Sequence, residues 1–376
     1  MPAFASAPTL DWLLASDDPA ARWVALAQVL GRPAGDPDVR AAHEAVLSDP
    51  GTTELIGRLN DWDHPGDLSG HDSAAYAPNL LGLLADMGMR AGDDRRVDSV
   101  VESMLHRQDE QGRLASPVLN RRIGPEPVLS ALLCDSHVIA DTLIRFGHAD
   151  HPAVRAAVER MAADLTRTAQ GPAWPCVPSN SFRGPGRKGE ACPQVTLQAL
   201  RSLSRLPADR RPVAPAELLE AARSALRIWT GRRDAKPYMF GHGLAFKTVK
   251  WPPFWYNVLA VLDAIGRYPE LWRPGDPAVD PADRLATAEL AACLIAYNLD
   301  SNGRVTPRSC YRGFESFSFG QKKQPSPYAT ARVLAVLRPF EGLAGEIAAV
   351  DVLALGSSKG GTGTAVGPKT PRGGQP

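Results

Sequence analysis

Apolar segments that recur about every sixty residues constrain the fold of this chain most strongly. Each segment is apolar almost all round, which is typical of a helix that is buried on every side. The residues that begin successive segments (Asp72, Cys134, Cys192, Trp251 and Ser326) are separated by 62, 58, 59 and 75 positions. With an earlier segment of the same kind, the apolar segments cover 19–31, 76–89, 137–147, 193–203, 254–266 and 328–337.

A second kind of helical segment, with one apolar stripe and one charged face, lies between the first kind. It occurs over 95–108, 151–165, 215–229 and 281–297. Paired helices that cannot bury their apolar faces alone indicate a repeat array that closes or stacks. We therefore predict an all-α fold, an (α/α)5-6 barrel or toroid with an inner and an outer ring. It forms a single domain over 1–355, and the Gly- and Pro-rich tail over 356–376 is expected to be disordered.

Net charge and cysteine content limit the binding partners and the cellular compartment that the sequence predicts. The chain has 42 basic and 41 acidic residues, so no net field attracts nucleic acid or an anionic membrane. The five cysteines are odd in number and do not suggest a disulfide framework. No apolar run reaches the ~20 residues of a membrane span, and the N-terminus does not have the pattern of a signal peptide. We expect a cytoplasmic protein with reduced thiols.

The repeat carries a detailed signature. Its clearest copy is "MGMRAGDDRRVDSVVESMLHRQDEQGRL". Less exact copies are "FGHADHPAVRAAVERMAADLTRTAQGPAW" and "DRLATAELAACLIAYNLDSNGRV". From about residue 15 to 340 the chain resembles the prenyltransferase/squalene-cyclase repeat of the α/α-toroid superfamily. "RGPGRKGEACPQVTLQALRSL", "GHGLAFKTVKWPPFWY" and "SFGQKKQPSP" are most similar to bacterial single-domain members. The resemblance implies an enzyme that acts on an isoprenoid.

In a barrel of parallel inner helices, the helix N-termini share one end, which we call the mouth. The candidate acids and bases there are His71, Asp72, Asp135 and His137. A carboxyl group in an apolar cavity has a raised pKa and can donate a proton, so Asp72 or Asp135 is the expected donor. Converging helix N-termini are also expected to depress the pKa of nearby thiols. The alternative is that these residues only cap helices.

A metal site is the second hypothesis for the mouth. Cys134 and His137 lie three residues apart on one helical face, Cys192 begins the next inner helix, and Cys176 precedes it. The four could hold one Zn²⁺, which prefers tetrahedral Cys and His ligands. The protein prenyltransferases that the repeats resemble hold zinc with Asp, Cys and His, although their motif does not transfer position by position. Buried cysteines that only pack the core are the alternative.

Basic loops and aromatic side chains near the mouth suggest a substrate that has an anionic head and a lipophilic tail. Arg and Lys suit phosphate or carboxylate groups, and aromatic faces stabilise carbocations. Solvated loops and an ordinary core are the alternatives. The candidate substrate-binding residues are Arg183, Arg187, Lys188, His242, Lys247, Lys250, Trp251, Trp255, Tyr256, Arg308, Lys322 and Lys323.

Three functions stay open at this point. The favoured one is a terpenoid cyclase- or prenyltransferase-like enzyme whose lipophilic, isoprenoid substrate fills the barrel. The absence of an Asp-x-Asp-Asp motif keeps open a non-catalytic toroid that binds a ligand or a protein. A hydrolase or lyase on an (α/α) barrel would need paired carboxylates across the cavity. No nucleic acid and no membrane span are expected, and the sequence leaves the oligomeric state open.

Overall fold

The chain is mostly α-helical, as predicted. The computed structural model describes residues 3–62, 70–118, 126, 128–176, 190–235, 237 and 240–355. In chain order, the α-helices of this part are α1 (Ala7–Leu14), α2 (Pro19–Val24), α3 (Pro37–Leu47), α4 (Pro50–Gly57), α5 (Ala77–Met87), α6 (Arg95–Leu105), α7 (Leu133–Arg145), α8 (Pro152–Ala163), α9 (Pro193–Arg205), α10 (Pro215–Thr230), α11 (Leu244–Lys247), α12 (Val258–Ile265), α13 (Pro281–Asn298), α14 (Pro327–Leu337) and α15 (Ala344–Ala348).

The strands are short and connect helices. One antiparallel pair is β1 with β2, a second is β3 with β4, and β5 runs parallel to β6. A π-helical turn over Ala25–Val29 continues α2. The strands are β1 (Ser116–Val118), β2 (Val128–Ser130), β3 (Thr166–Thr168), β4 (Gly171–Ala173), β5 (Lys250–Trp251) and β6 (Ser309–Cys310).

Helix starts follow directly from a recurrent pairing of a capping residue with proline. Asp36 precedes Pro37, and its Oδ1 accepts the backbone N–H of Asp38 at 2.8 Å. Asp280 caps α13 in the same way, accepting from the N–H of Ala282 at 2.9 Å. Proline fits the first helical turn because its missing N–H would have no intrahelical partner there.

All six of the all-round apolar segments form helices, as predicted: α2, α5, α7, α9, α12 and α14. Their contacts form a closed cycle, in which α5 contacts α7, α7 contacts α9, α9 contacts α12, α12 contacts α14, α14 contacts α2, and α2 contacts α5. Each helix in the cycle therefore has a neighbour on both sides, which explains why no face of these segments is consistently polar.

The amphipathic helices pack against members of this cycle. α6 contacts α7, α10 contacts α9, and α13 contacts α12. In α6 the buried stripe is Val97, Val100, Val101 and Met104, which has the i, i+3, i+4, i+7 spacing of one helical face. The main apolar core runs from Ala5 to Leu355 through both sets of helices.

Three neighbouring helices of the cycle, α5, α7 and α9, run in the same direction. Arg145 near the end of α7 pairs with Asp86 near the end of α5 at 2.6 Å. Arg205 at the end of α9 pairs with Asp141 in the second half of α7 at 2.8 Å. Because the C-terminal halves meet, the N-terminal ends of these helices also share one side of the molecule.

Two further expectations concern the whole chain. Within the described ranges, no helix combines the length and the apolar character needed to cross a bilayer. The predicted disordered tail over 356–376 lies outside the described residues. The single-domain interpretation of 1–355 stays a prediction.

Candidate functional site

Three potential metal ligands meet where α5 and α7 begin. His71 lies in the turn before α5, whereas Cys134 and Asp135 belong to the first turn of α7. His71 Nδ1 lies 3.2 Å from Cys134 Sγ and 2.9 Å from Asp135 Oδ1. Donor atoms from the three residues all lie within 4.8 Å of one another. We call these three residues the donor set.

The turn that carries His71 is fixed by the first turn of α5. Asn79 is buried, and its Nδ2 donates to the backbone oxygens of His71 (3.1 Å) and Ser73 (2.8 Å). The backbone N–H of His71 donates to Asp135 Oδ1 at 3.3 Å. The imidazole is therefore held from both helices.

Burial and charge set the protonation behaviour of the donor set. Burial raises the pKa of Cys134 well above the usual thiol value, and the negative charges of Asp135, Cys192 and Cys176 add to this shift. The expectation of depressed thiol pKa values at helix N-termini is therefore wrong for Cys134. At His71, burial lowers the pKa, but the hydrogen bond and charge of Asp135 outweigh it and raise the pKa.

The donor set fits a transition metal better than a hard cation. It offers one imidazole nitrogen, one sulfur and one carboxylate oxygen, the ligand types that Zn²⁺ takes in proteins. Three protein ligands leave one tetrahedral position for a substrate or water, as in catalytic zinc sites. Among the described residues, this is the group of three or more His, Cys, Asp or Glu side chains close enough to hold an ion.

The predicted zinc ligands only partly coincide with the donor set. Cys134 belongs to it, but the donor atoms of His137, Cys176 and Cys192 do not complete a group within 4.8 Å. Cys176 and Cys192 are neighbours of Cys134, since their charges affect its pKa. Burial raises the pKa of Cys192 to about 12.

His137 points to a different neighbour because it lies one turn further along α7. Its Nδ1 faces the backbone oxygen of Val195 on α9 at 3.4 Å, and its ring edge packs on Trp174. Burial lowers the pKa of His137 to about 4, so the imidazole is neutral near pH 7. His137 does not join the donor set because its ring is turned toward α9 and packs on Trp174.

The two candidate acids differ in their surroundings. Asp72 is exposed, so it does not lie in the apolar cavity that we expected around a proton donor. Asp135 is only 1% exposed and accepts two hydrogen bonds from His71. Of the two, Asp135 alone belongs to the donor set.

Aromatic rings extend from the donor set. Trp255 stacks on His71 with 6.0 Å between ring centroids, and on Phe240 with 5.9 Å. Phe254, the neighbour of Trp255 in the chain, packs on Tyr311 at 4.6 Å. We call Phe240, Phe254, Trp255 and Tyr311 the aromatic wall. All four are half-buried, so ring faces remain accessible beside the donor set.

One of the basic residues that were predicted to bind substrate lies against the aromatic wall. Lys250 is exposed, and its Nζ is 3.8 Å from the centroid of the Tyr311 ring. Sequence reasoning identified Lys250 and Trp255 but did not identify Phe240 or Tyr311. The spacing between these aromatic residues in the chain gave no signal that they would meet.

Several predicted substrate-binding residues belong to the core instead. Trp251 is fully buried and packs against other aromatic rings. His242 and Tyr256 are buried together, with His242 Nε2 3.0 Å from the Tyr256 hydroxyl. Lys247 is buried, with its Nζ 5.1 Å from the Tyr297 ring. These four predicted substrate contacts are corrected to packing roles, because their side chains are enclosed by protein.

The remaining predicted cations are either exposed or outside the described part of the chain. Arg308, Lys322 and Lys323 are exposed. Arg183, Arg187 and Lys188 lie outside the described residues.

Five helices of the cycle (α5, α7, α9, α12 and α14) line a cavity of about 80 Å³. It begins near the donor set, where Asn79 and Phe254 line it, and extends to the C-terminal halves of the helices. We expected an isoprenoid tail in this space. The lining favours a polar group instead, since burying charged side chains against hydrocarbon is unfavourable. The charged lining residues are Asp86, Asp141, Asp263, Arg145, Arg201, Arg205 and Arg332.

A signal for this lining was present in the sequence. Asp86, Asp141 and Asp263 each interrupt a segment that is otherwise apolar almost all round. A charged residue in a helix that is buried on every side must itself be buried and paired. Such residues are therefore candidates for a polar interior.

Comparison with known proteins gives no assignment, because no protein-family model, no curated protein and no solved structure matches the chain.

Proposed function

We propose that this protein is a zinc-dependent enzyme on an (α/α)6 toroid that acts, like the prenyltransferases it resembles, on a substrate with a lipophilic body. The convergence of His71, Cys134 and Asp135 carries the proposal. The three residues come from two different repeats, 63 positions apart between His71 and Cys134, yet their donor atoms lie within hydrogen-bonding distance.

The toroid is supported by the contact pattern. The six apolar helices contact one another in a cycle, and amphipathic helices pack on the outside of α7, α9 and α12. Such an arrangement leaves the axis free for a cavity, and polar residues from five of the six helices line one. The donor set lies at the N-terminal end of that axis.

The residues of the site have separate roles in this proposal. His71 Nδ1, Cys134 Sγ and an oxygen of Asp135 would hold the ion. Zinc would supply Lewis acidity and keep a sulfur ligand deprotonated at neutral pH, which the raised pKa of the buried Cys134 thiol otherwise prevents. Asn79 fixes the backbone that carries His71.

The lipophilic part of the substrate would lie across the aromatic wall. Trp255 contacts the donor set directly through its stack on His71, so an apolar group on this wall would be next to the metal position. Aromatic faces also stabilise cationic character in an allylic group. Lys250 beside Tyr311 adds a positive charge at the far end of the wall.

A non-catalytic toroid that binds a ligand is the second candidate. Asp72, one of the two predicted proton donors, is exposed and does not lie in an enclosed site. This observation favours the non-catalytic candidate. This candidate requires neither metal nor turnover.

Metal content provides the test. We expect one zinc ion per chain in protein purified without chelators, and loss of that zinc in Cys134→Ser and His71→Ala. Cobalt substitution should give a thiolate-to-cobalt charge-transfer band that disappears in Cys134→Ser. Cys293→Ala is the matched control, since Cys293 is a buried cysteine on α13 and should leave the metal content unchanged.

Three outcomes would count against parts of the proposal. Wild-type protein that binds no zinc or cobalt, when dialysed against either ion, would exclude the metal site. Zinc that persists in both Cys134→Ser and His71→Ala would place the metal elsewhere. If zinc binds at the donor set but isoprenyl diphosphates give neither turnover nor thermal stabilisation, the lipophilic substrate is excluded.

A further inference from the structure

The interior cavity holds more positive than negative charge. Four arginines and three aspartates line it, which leaves one positive charge in excess. Asp86 pairs with both Arg145 (2.6 Å) and Arg332 (3.2 Å), and Asp141 pairs with Arg205 (2.8 Å). These contacts hold the pKa of Asp86 and of Asp141 below the usual carboxyl value against the opposing effect of burial, so both are ionised near neutral pH.

Arg201 is the lining arginine with the weakest pairing. Its Nη1 lies 3.6 Å from Asp263, which is beyond hydrogen-bonding distance. Asp263 also accepts a hydrogen bond from Arg267 Nη2 at 3.4 Å, and Arg267 does not line the cavity. The Nε of Arg201 is buried and has no hydrogen-bond partner within the described part of the chain.

Gln198 faces the same cavity one turn before Arg201 on α9. It is only 3% exposed, and its Oε1 has no hydrogen-bond partner among the residues described. Buried polar groups in native proteins almost always have partners, because leaving them unpaired is destabilising. A side-chain amide can rotate to present its NH₂ group instead of its oxygen. Gln198 and Arg201, three residues apart on α9, therefore both line the cavity with polar groups that have no partner among the described residues.

We propose that the interior cavity binds a small oxyanion, a phosphate or carboxylate group, through the Arg201 guanidinium and the Gln198 side-chain amide. The volume of about 80 Å³ suits such a group, since ~10–15 Å³ is enough for one water. The assignment of this anion as the head group of the substrate rests on the proposed function. The body of the same molecule would then leave the cavity past Phe254, which both lines the cavity and belongs to the aromatic wall.

Inorganic phosphate and acetate are the probes for a calorimetric titration and a thermal-shift assay, with sodium chloride at equal ionic strength as the reference. We expect saturable binding of one of the two oxyanions and a rise in Tm that chloride does not produce. Arg201→Met should weaken that binding about 10- to 100-fold, because it removes a charge-assisted hydrogen bond. Arg267→Met is the matched control, and it should bind the anion as the wild type does.

Gln198→Leu gives a second test that does not depend on the folding of Arg201→Met. It removes an unpaired buried amide, so the anion-free protein should become more stable while its anion affinity falls several-fold. Binding of neither anion beyond the chloride effect would overturn the proposal. Equal losses of oxyanion affinity in Arg201→Met and Arg267→Met would also overturn the proposal, as would an unchanged affinity in Gln198→Leu. In either case the cavity charges would form only a structural ion network.

The outcomes separate this inference from the proposed function. Oxyanion binding that persists in Cys134→Ser would support the cavity site even if no zinc is found. Zinc that is retained in wild-type protein without oxyanion binding would leave the metal site intact and refute the cavity site.

Discussion

The donor set and the interior cavity are both polar, yet they are built in opposite ways. The donor set groups a histidine, a thiol and a carboxylate at the N-terminal end of the helices, and in part next to one another in the chain. The cavity takes its charged residues from five different helices, and each aspartate there has an arginine within 3.6 Å. In the proposed function the donor set binds an ion, whereas most of the cavity charges pair with one another and link helices.

Breaking the cavity network should have the largest effect on stability. Asp86→Ala removes the carboxylate that Arg145 and Arg332 share, so two arginines lose a partner. We expect a loss of about 3–5 kcal/mol in the free energy of unfolding, the range for breaking a buried ion pair. Urea denaturation measures it.

Asp72→Ala is the control for that experiment at the other end of the molecule. Asp72 is exposed, so its removal should change the free energy of unfolding by less than about 0.5 kcal/mol. Similar losses in the two variants would show that the cavity charges do not join the helices more strongly than a surface carboxylate does.

The pH dependence of stability tests the region between the two sites, where His137 packs. The unfolded chain binds a proton at this histidine near pH 6.5, but in the folded protein its pKa is lowered to about 4. Its contribution is therefore complete above pH 6.5 and is lost as the pH falls from 6.5 to 4, by ~2–3 kcal/mol. Urea denaturation of the wild type and of His137→Gln at several pH values measures this slope.

We expect His137→Gln to flatten the slope between pH 6.5 and 4. His106→Gln alters an exposed histidine and should keep the wild-type slope. If His137→Gln and the wild type lose stability in parallel, His137 titrates normally and is not enclosed between α7 and α9.

The smallest effect is expected at the aromatic wall. Trp255→Leu removes a half-buried ring that stacks on His71, so the free energy of unfolding should fall by only about 1 kcal/mol. The zinc content should stay unchanged, because Trp255 supplies no ligand. Trp251→Leu removes a fully buried ring, so the free energy of unfolding should fall by about 3 kcal/mol or more. Equal losses in the free energy of unfolding for the two variants would mean that the aromatic wall packs as part of the core.

The sequence predicted the helices more successfully than the grouping of the site residues. All six buried helices and their alternation with amphipathic helices follow from the position of apolar residues, because burial on one or all sides is a local pattern. His71, Cys134 and Asp135 were each among the candidates, but Cys134 was grouped with His137, Cys176 and Cys192. The 62-residue spacing from Asp72 to Cys134 pairs "GHDS" with "CDSH", and that was the available signal for the observed group.

The rest could not be predicted because it depends on the rotation of each helix about its axis. Cys134 and His137 are three residues apart, and a rotation of α7 decides which of them faces α5 and which faces α9. The same rotation decides whether Asp141 points to solvent or to the cavity. Apolar patterns do not fix this angle when a helix is buried all round, since every side is then equally apolar.

By itself, the sequence determined the helical class, the repeat of about sixty residues and the helix starts, because proline, capping residues and apolar periodicity act locally. Tertiary structure alone decided that a histidine from one repeat meets a cysteine and an aspartate from the next. It also decided that the charges in the apolar segments meet around one cavity. Both results depend on side-chain contacts between helices, which form only when the helices pack against one another.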